Sequence, residues 1–232
     1  MQVANARSVK QDSQPKLTLQ FPTRQSSLQA SRLTLTLKRL VDVSLSGVAL
    51  LLLSPLMLAI IVLIKIDSPG PVLFRQKRWG QSCSVIEVLK FRTMRIELCD
   101  FSGVCQTVEH DPRVTRLGSI LRSTNLDELP QLINVLRGDM SLVGPRCHAI
   151  GMLAAGMPYE ELVPEYHIRH LVKPGITGVA QMKGLRGPTV DRDAAIMRFE
   201  CDAYYVSNVS FWLDFKIMLE TLRMEAFRGR GF

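Results

Sequence analysis

The chain has 232 residues, and 47% hydrophobic, 22% charged composition with mean hydropathy +0.12 excludes a mostly disordered polypeptide. Twelve prolines and 15 glycines without a period exclude collagen-like architecture, and 6% aromatic residues are too few for stacked-base platforms. The net charge of +8 is concentrated at one end: residues 1–40 carry seven Lys/Arg against Asp12 alone, whereas the rest is nearly balanced. That distribution disfavours a nucleic-acid binder.

In chain order, residues 1–36 read as a basic, polar, disordered tail suited to solvation or to anionic headgroups. Residues 37–67 read as a membrane helix broken at Ser54-Pro55. Within it Val41–Ile66 is a 26-residue apolar run whose charges, Asp42 and Lys65, lie near its ends, long enough to span a bilayer. Ser54-Pro55 sits at its midpoint, where proline removes a helix hydrogen bond and the serine hydroxyl can satisfy the freed carbonyl. Lys38 and Arg39 precede the run, and Lys65, Arg75, Lys77 and Arg78 follow it. Positive flanks on both sides suit a re-entrant hairpin that enters and leaves by the cytoplasmic face, although a single kinked span has the same composition.

Residues 68–232 read as a helix-rich α/β domain with a small sheet. Val72–Arg75 and Cys83–Lys90 form short strands, residues 96–110 a surface loop, and Thr115–Arg122 a helix with Leu117, Ile120 and Leu121 on one face. Asn125–Leu136 forms the next helix, and Gly138–Arg146 a turn and strand. Helical stretches at 190–205 and 211–227 follow, the last placing Trp212, Phe215 and Leu219 on one face, for the core or for a membrane interface. Five cysteines without C-x-x-C, and four histidines without zinc-ligand spacing, suit a reduced compartment; His167 and His170 read as a surface or core pair before a metal site.

The chemistry concentrates at Leu121–Gln131. Asp127 and Glu128 lie just before Pro130, where Glu128 can close a capping box with Asn125. Yet Lys90, Arg92, Arg113, Arg116, Arg122, Arg137 and Arg146 surround this pair in sequence, several on turns fixed by Gly or Pro, positions suited to forked phosphate binding. Carboxylates among such cations can bind a divalent metal or attack phosphorus.

The motifs Lys38–Asp42, Ser68–Gln76, Lys90–Arg95, Asp111-Pro112-Arg113, Leu126–Gln131, Gly138–Arg146 and Val172–Gly178 occur in the order of a known family. The chain resembles the bacterial sugar transferases, the monotopic polyprenyl-phosphate phosphoglycosyl transferases, over roughly residues 36–222. Gly184-Leu185-Arg186-Gly187 resembles their exopolysaccharide-initiating branch, which commonly transfers galactose- or glucose-phosphate. The resemblance implies a re-entrant membrane hairpin, a cytoplasmic catalytic domain at the bacterial inner membrane, and amphipathic interfacial helices. It also implies sugar-1-phosphate transfer from a UDP-sugar to undecaprenyl phosphate, with Mg²⁺ and release of UMP; a homo-oligomer is compatible with it. By motif, Asp127 is the nucleophile that forms a phosphosugar–aspartyl intermediate and Glu128 holds Mg²⁺. Arg122 and Arg146 bind phosphate, with Lys90, Arg92 and Arg113 as further candidates. Cys147 stands where the family usually has proline, which loosens the turn carrying Arg146. A non-enzymatic membrane anchor with a basic recruiting surface is the rival reading, and it has no use for Asp127.

Overall fold

A computed structural model describes residues 31–100, 102, 104–108, 111–185 and 187–228. The tail at 1–30, parts of the 96–110 loop and Arg186 lie outside the described residues. The first element, α1, runs over Arg32–Asp67, so residues 32–36, assigned by sequence to the tail, already form its first turns. Ser31 explains the start: its hydroxyl accepts the Thr34 N–H at 3.1 Å. At the midpoint the Ser54 hydroxyl donates to the Leu51 carbonyl at 2.8 Å. That carbonyl is the one Pro55, lacking an N–H, leaves without its helical partner. By length and composition α1 is apolar enough to cross a membrane, and it is the single such helix among the described residues.

The two ends of α1 are fixed to the body that follows it. Near the N-terminus Lys38 donates to the Val143 carbonyl (2.9 Å) and pairs with Asp214 (2.6 Å), while buried Asp42 accepts the Leu142 N–H at 3.0 Å. Arg39 donates to the Val135 and Leu136 carbonyls at 2.6 and 2.8 Å. Near the C-terminus Ile60 and Ile64 pack with Phe91 and Leu121. Between these anchors the helix presents Val48, Leu51, Leu52 and Leu58 outward.

The body then builds an antiparallel hairpin from β1 (Leu73–Trp79) and β2 (Val85–Phe91), joined through a 3₁₀ turn at Gln81–Cys83. Thr115 caps α2 (Arg116–Ser123) by accepting the Gly118 N–H at 2.9 Å. A Cβ on Gly118 would stand 2.0 Å from the Thr93 carbonyl, so this glycine sets the closeness of α2 to the end of β2. Ile120, expected on the inner face, is exposed, and Leu121 alone of that trio is fully buried.

The helix expected over Asn125–Leu136 divides. A 3₁₀ turn at Leu126–Glu128 precedes α3 (Gln131–Arg137), because Asn125 adopts the left-handed region (φ 55°) and Pro130 cannot donate back to Leu126. Gly138, at φ 93°, ends α3. Then come β3 (Ser141–Val143), β4 (Leu153–Ala154), β5 (Met157–Pro158), α4 (Tyr159–Leu162), a 3₁₀ segment at Tyr166–Leu171, β6 (Gly175–Thr177), α5 (Val179–Met182), α6 (Arg192–Ser207) and α7 (Phe211–Arg228). The expected small sheet is instead three separate two-stranded pairings among the described residues: β1–β2 and β4–β5 antiparallel, β3–β6 parallel.

Three apolar clusters bear on the site. Val143, Val172, Val179, Tyr205 and Ile217 unite β3 with α5, α6 and α7; Val88, Val135, Met140 and Cys147 lock α3 under β2; Ile60, Ile64, Phe91 and Leu121 seat α1. The outer face of α7 carries Trp212, Phe215, Leu219 and Leu222, all exposed, while Asp214 and Ile217 turn inward. The apolar stripe read from the sequence therefore points away from the core.

Candidate active site

Four segments converge on one cluster of charge. The end of β2 contributes Lys90, α2 contributes Arg122, the 3₁₀ turn contributes Asp127 and Glu128, and the turn after β3 contributes Arg146. Lys90 reaches Glu128 at 2.6 Å. Arg146 grips the same carboxylate as a fork, with contacts of 2.5 and 3.2 Å to its two oxygens. Glu128 is thus committed to two cations, and the capping box with Asn125 is not formed: the Asn125 side chain makes no cap bond. Burial alone would raise the Glu128 pKa, but Arg146 and Lys90 outweigh it and hold the group well below the usual carboxylate range.

Asp127, one residue earlier, is the opposite case. It is buried, and among the described residues no hydrogen bond or ion pair reaches its carboxylate. Desolvation pushes its pKa up, reinforced by Glu128 and only partly countered by Lys90, Arg122 and Arg146. The arrangement is a desolvated carboxylate facing three cations that it does not neutralise.

The cations are positioned by groups that sequence reading passed over. The Arg122 Nε donates to the Thr93 hydroxyl at 2.8 Å, and Thr93 is itself buried. Buried Asn134 accepts the Leu89 N–H (3.0 Å) and donates to the Glu87 carbonyl (2.7 Å), tying the strand that carries Lys90 to α3. Arg169, fully buried, donates to the Arg146 carbonyl at 2.5 Å and to Asp202 at 2.7 and 3.1 Å. Thr93 lies inside the Lys90–Arg95 run and could have been flagged there; Arg169 and Asp202, 33 residues apart, carry no local signal.

The turn that carries Cys147 is braced by its neighbours. Gly144 and Gly175 allow backbone approach so close that a Cβ on Gly175 would meet the Gly144 nitrogen at 2.1 Å. Arg146 also bridges to Gly175, and the Cys147 carbonyl accepts Arg78 at 2.8 Å, so the turn is tied on both sides without a proline.

Two candidate phosphate ligands lie elsewhere. Arg92 is buried beneath the C-terminal end of α1, donating to the carbonyls of Ser68 (2.6 Å), Ile64 (3.4 Å) and Pro69, where a cation complements the helix dipole. Arg113 forks onto Asp111 at 2.9 and 2.6 Å and holds that carboxyl down at about 2. Neither meets Asp127 or Glu128.

The donor set fits Mg²⁺. Glu128 uses three of the roughly four acceptor positions of a carboxylate, and the adjoining Asp127 carboxylate has no partner among the described residues. One or two carboxylates suffice for Mg²⁺ when phosphate oxygens complete its shell.

The family model for bacterial sugar transferases matches residues 33–228. An exopolysaccharide production protein from Rhizobium leguminosarum bv. phaseoli is 62% identical over 85% of this chain and 99% of its own length. The undecaprenyl-phosphate glucose phosphotransferase of Komagataeibacter xylinus is 47% identical over 84% of this chain. The UDP-glucose:undecaprenyl-phosphate glucose-1-phosphate transferase of Escherichia coli K12 is 47% identical over 80% of it. The chain spans 37% and 39% of the length of these last two relatives.

Proposed function

The chain belongs to the bacterial sugar transferase family, and from that premise we propose that it transfers a sugar 1-phosphate from a UDP-sugar to undecaprenyl phosphate, releasing UMP, as the first step of exopolysaccharide repeat-unit assembly. The observation that carries this reading is Asp127: a buried carboxylate without a partner among the described residues, beside cations suited to phosphate. An Asp127 oxygen attacks the sugar-bearing phosphorus, the bond to the UMP oxygen breaks, and UMP leaves with that electron pair. The resulting acyl phosphate is then attacked by a phosphate oxygen of the lipid, which forms the diphosphate and returns Asp127 as carboxylate. Arg146, whose side chain is 44% exposed, can turn its fork from Glu128 to the donor phosphates, and Arg122 is held by Thr93 to face the same charge. Glu128, with Asp127 beside it, would hold Mg²⁺, which supplies charge neutralisation on the transferring phosphoryl group. Desolvation strengthens the nucleophile, because the folded site stabilises the Asp127 anion less than water does.

The same proposal places α1 as a re-entrant hairpin in the bacterial inner membrane, with the catalytic body in the cytoplasm. A spanning helix puts its ends on opposite sides of about 30 Å of hydrocarbon. Here one body holds Lys38, Arg39 and Asp42 at one end and Ile60 and Ile64 at the other. The outward apolar residues between those anchors, and the Trp212–Leu222 stripe on α7, supply surface for the lipid. Cysteines introduced at Thr36 and Gln81, in a chain cleared of its five native cysteines, should both be shielded from an impermeant periplasmic reagent; labelling at position 36 alone would mean a through-span. Pro55→Leu restores the missing helix bond and should shift the helix toward that through-span.

The reaction is tested by UMP release with undecaprenyl phosphate, Mg²⁺ and a panel of UDP-sugars, UDP-glucose first because the E. coli relative is named for it. Release that depends on one sugar and disappears in Asp127→Asn supports reaction and nucleophile together. Release undiminished in Asp127→Asn would rule out the aspartyl intermediate, and no release with any donor would return the membrane-anchor reading.

A further inference from the structure

The 3₁₀ turn of the β1–β2 hairpin meets the Tyr166–Leu171 segment, the segment that also carries Arg169. There the Cys83 Sγ lies 3.5 Å from the Nδ1 of His167 and 3.5 Å from the Nδ1 of His170, and the two Nδ1 atoms are 3.3 Å apart. In sequence the two histidines lacked a third ligand; the fold brings one from 84 and 87 residues earlier.

These separations are those of a ligand shell. A tetrahedral zinc ion stands about 2.3 Å from sulfur and about 2.0–2.1 Å from nitrogen, which holds S and N about 3.5 Å apart and two N about 3.3 Å apart. Three independent distances agree with that geometry. The backbone is bent to deliver the thiol: Ser82 and Cys83 both occupy the left-handed region, at φ 54° and 57°, which side chains with a Cβ adopt at a cost in free energy. Glu160 places a carboxylate oxygen 3.8 Å from the His167 Nε2, the nitrogen away from the cluster, a charge contact beyond hydrogen-bond distance. The Trp79 ring packs against both histidines at 5.9 and 6.3 Å and limits their rotation. The Gln81 side chain donates to the Leu171 carbonyl at 3.2 Å, so the turn and the segment are already in register.

We propose that Cys83, His167 and His170 form a binding site for a borderline-soft divalent metal of the Zn²⁺ class, with the fourth position open to water. Its role is structural: the ion staples the hairpin turn to the segment whose Arg169 holds the Arg146 carbonyl. The inference does not depend on the transferase reading. A catalytic Mg²⁺ would not compete, since thiolate and imidazole suit Zn²⁺ and disfavour a hard cation.

The test uses full-length, detergent-purified protein kept reduced, stripped with chelator, and reloaded with Zn²⁺ or with Co²⁺ as a spectroscopic probe. One retained Zn²⁺ per chain after gel filtration is expected, together with a thiolate-to-Co²⁺ charge-transfer band. Both should be lost in Cys83→Ala and kept in Cys105→Ala. Zn²⁺ should raise the Tm of the wild type and leave that of Cys83→Gly unchanged; glycine relaxes the left-handed turn, so this variant folds without the metal. Failure of the wild type to retain Zn²⁺, or retention equal in Cys83→Ala, would overturn the site.

Discussion

Two clusters of buried charge adjoin in this molecule, and they are finished to different degrees. The Arg169 guanidinium is fully paired: it serves Asp202 twice, the Arg146 carbonyl and the Tyr166 hydroxyl. Around Asp127 the pairing is left open: Glu128 is engaged by Lys90 and Arg146, while among the described residues its neighbour faces the same cations without a partner. The clusters meet in one residue, Arg146, whose carbonyl belongs to the closed network and whose side chain belongs to the open one. The difference teaches how a site can be both rigid and unsatisfied. A complete network fixes the backbone, so that an incomplete one beside it can keep its charges unpaired.

The largest expected effect separates the two outright. Asp127→Asn should reduce turnover to background yet raise Tm at neutral pH. The folded-state pKa of Asp127 is raised, so its contribution to stability is favourable below the unfolded value and lost as pH rises through the folded one; asparagine has no charge to desolvate. A fall in Tm at neutral pH would mean that Asp127 is structurally paired after all.

Next in size, Arg169→Leu leaves Asp202 buried and uncompensated and should destabilise by about 3–5 kcal/mol in chemical unfolding. The double variant Arg169→Leu/Asp202→Leu should recover much of that loss, since an apolar pair does not strand a charge. Equal losses in single and double variants would show that packing, not pairing, is what Arg169 supplies.

Arg146→Lys keeps the charge but loses the fork. With a charge-assisted hydrogen bond contributing about 1.5–3 kcal/mol, kcat/KM should fall about 10- to 100-fold while the unfolding midpoint barely moves. The smallest effect is a titration shift. Glu128→Gln removes the negative neighbour and frees Lys90 and Arg146 toward Asp127, so the Asp127 carboxyl should titrate at lower pH by NMR. A shift upward would mean that the cations stay with the substituted amide and leave Asp127 more isolated.

What was legible beforehand follows the range of each interaction. Asp127, Glu128, Lys90, Arg122 and Arg146 could be gathered from the sequence because acids beside a proline and arginines on fixed turns are local patterns. Arg92 and Arg113 show the same local pattern but are bonded to the α1 terminus and to Asp111. Composition cannot separate a cation that waits for a ligand from one already engaged. Lys38 and Arg39 were legible as positive flanks, yet their hydrogen bonds to residues about one hundred positions away were not.

The sequence by itself determined the features whose partners lie within a helical turn and whose residues it singled out: the apolar run, and the Ser54 hydroxyl on the carbonyl released by Pro55; the Ser31 and Thr115 caps are equally local but became visible with the structure. Tertiary structure decided which of two adjacent carboxylates is neutralised, because Lys90 and Arg146 reach Glu128 across 38 and 18 residues. It also decided that Cys83 joins two histidines, and that the apolar face of α7 looks outward. The physical reason is common to all three. Caps and kinks are settled by backbone groups that any nearby side chain can reach, whereas desolvation and charge depend on which distant segments close over a residue.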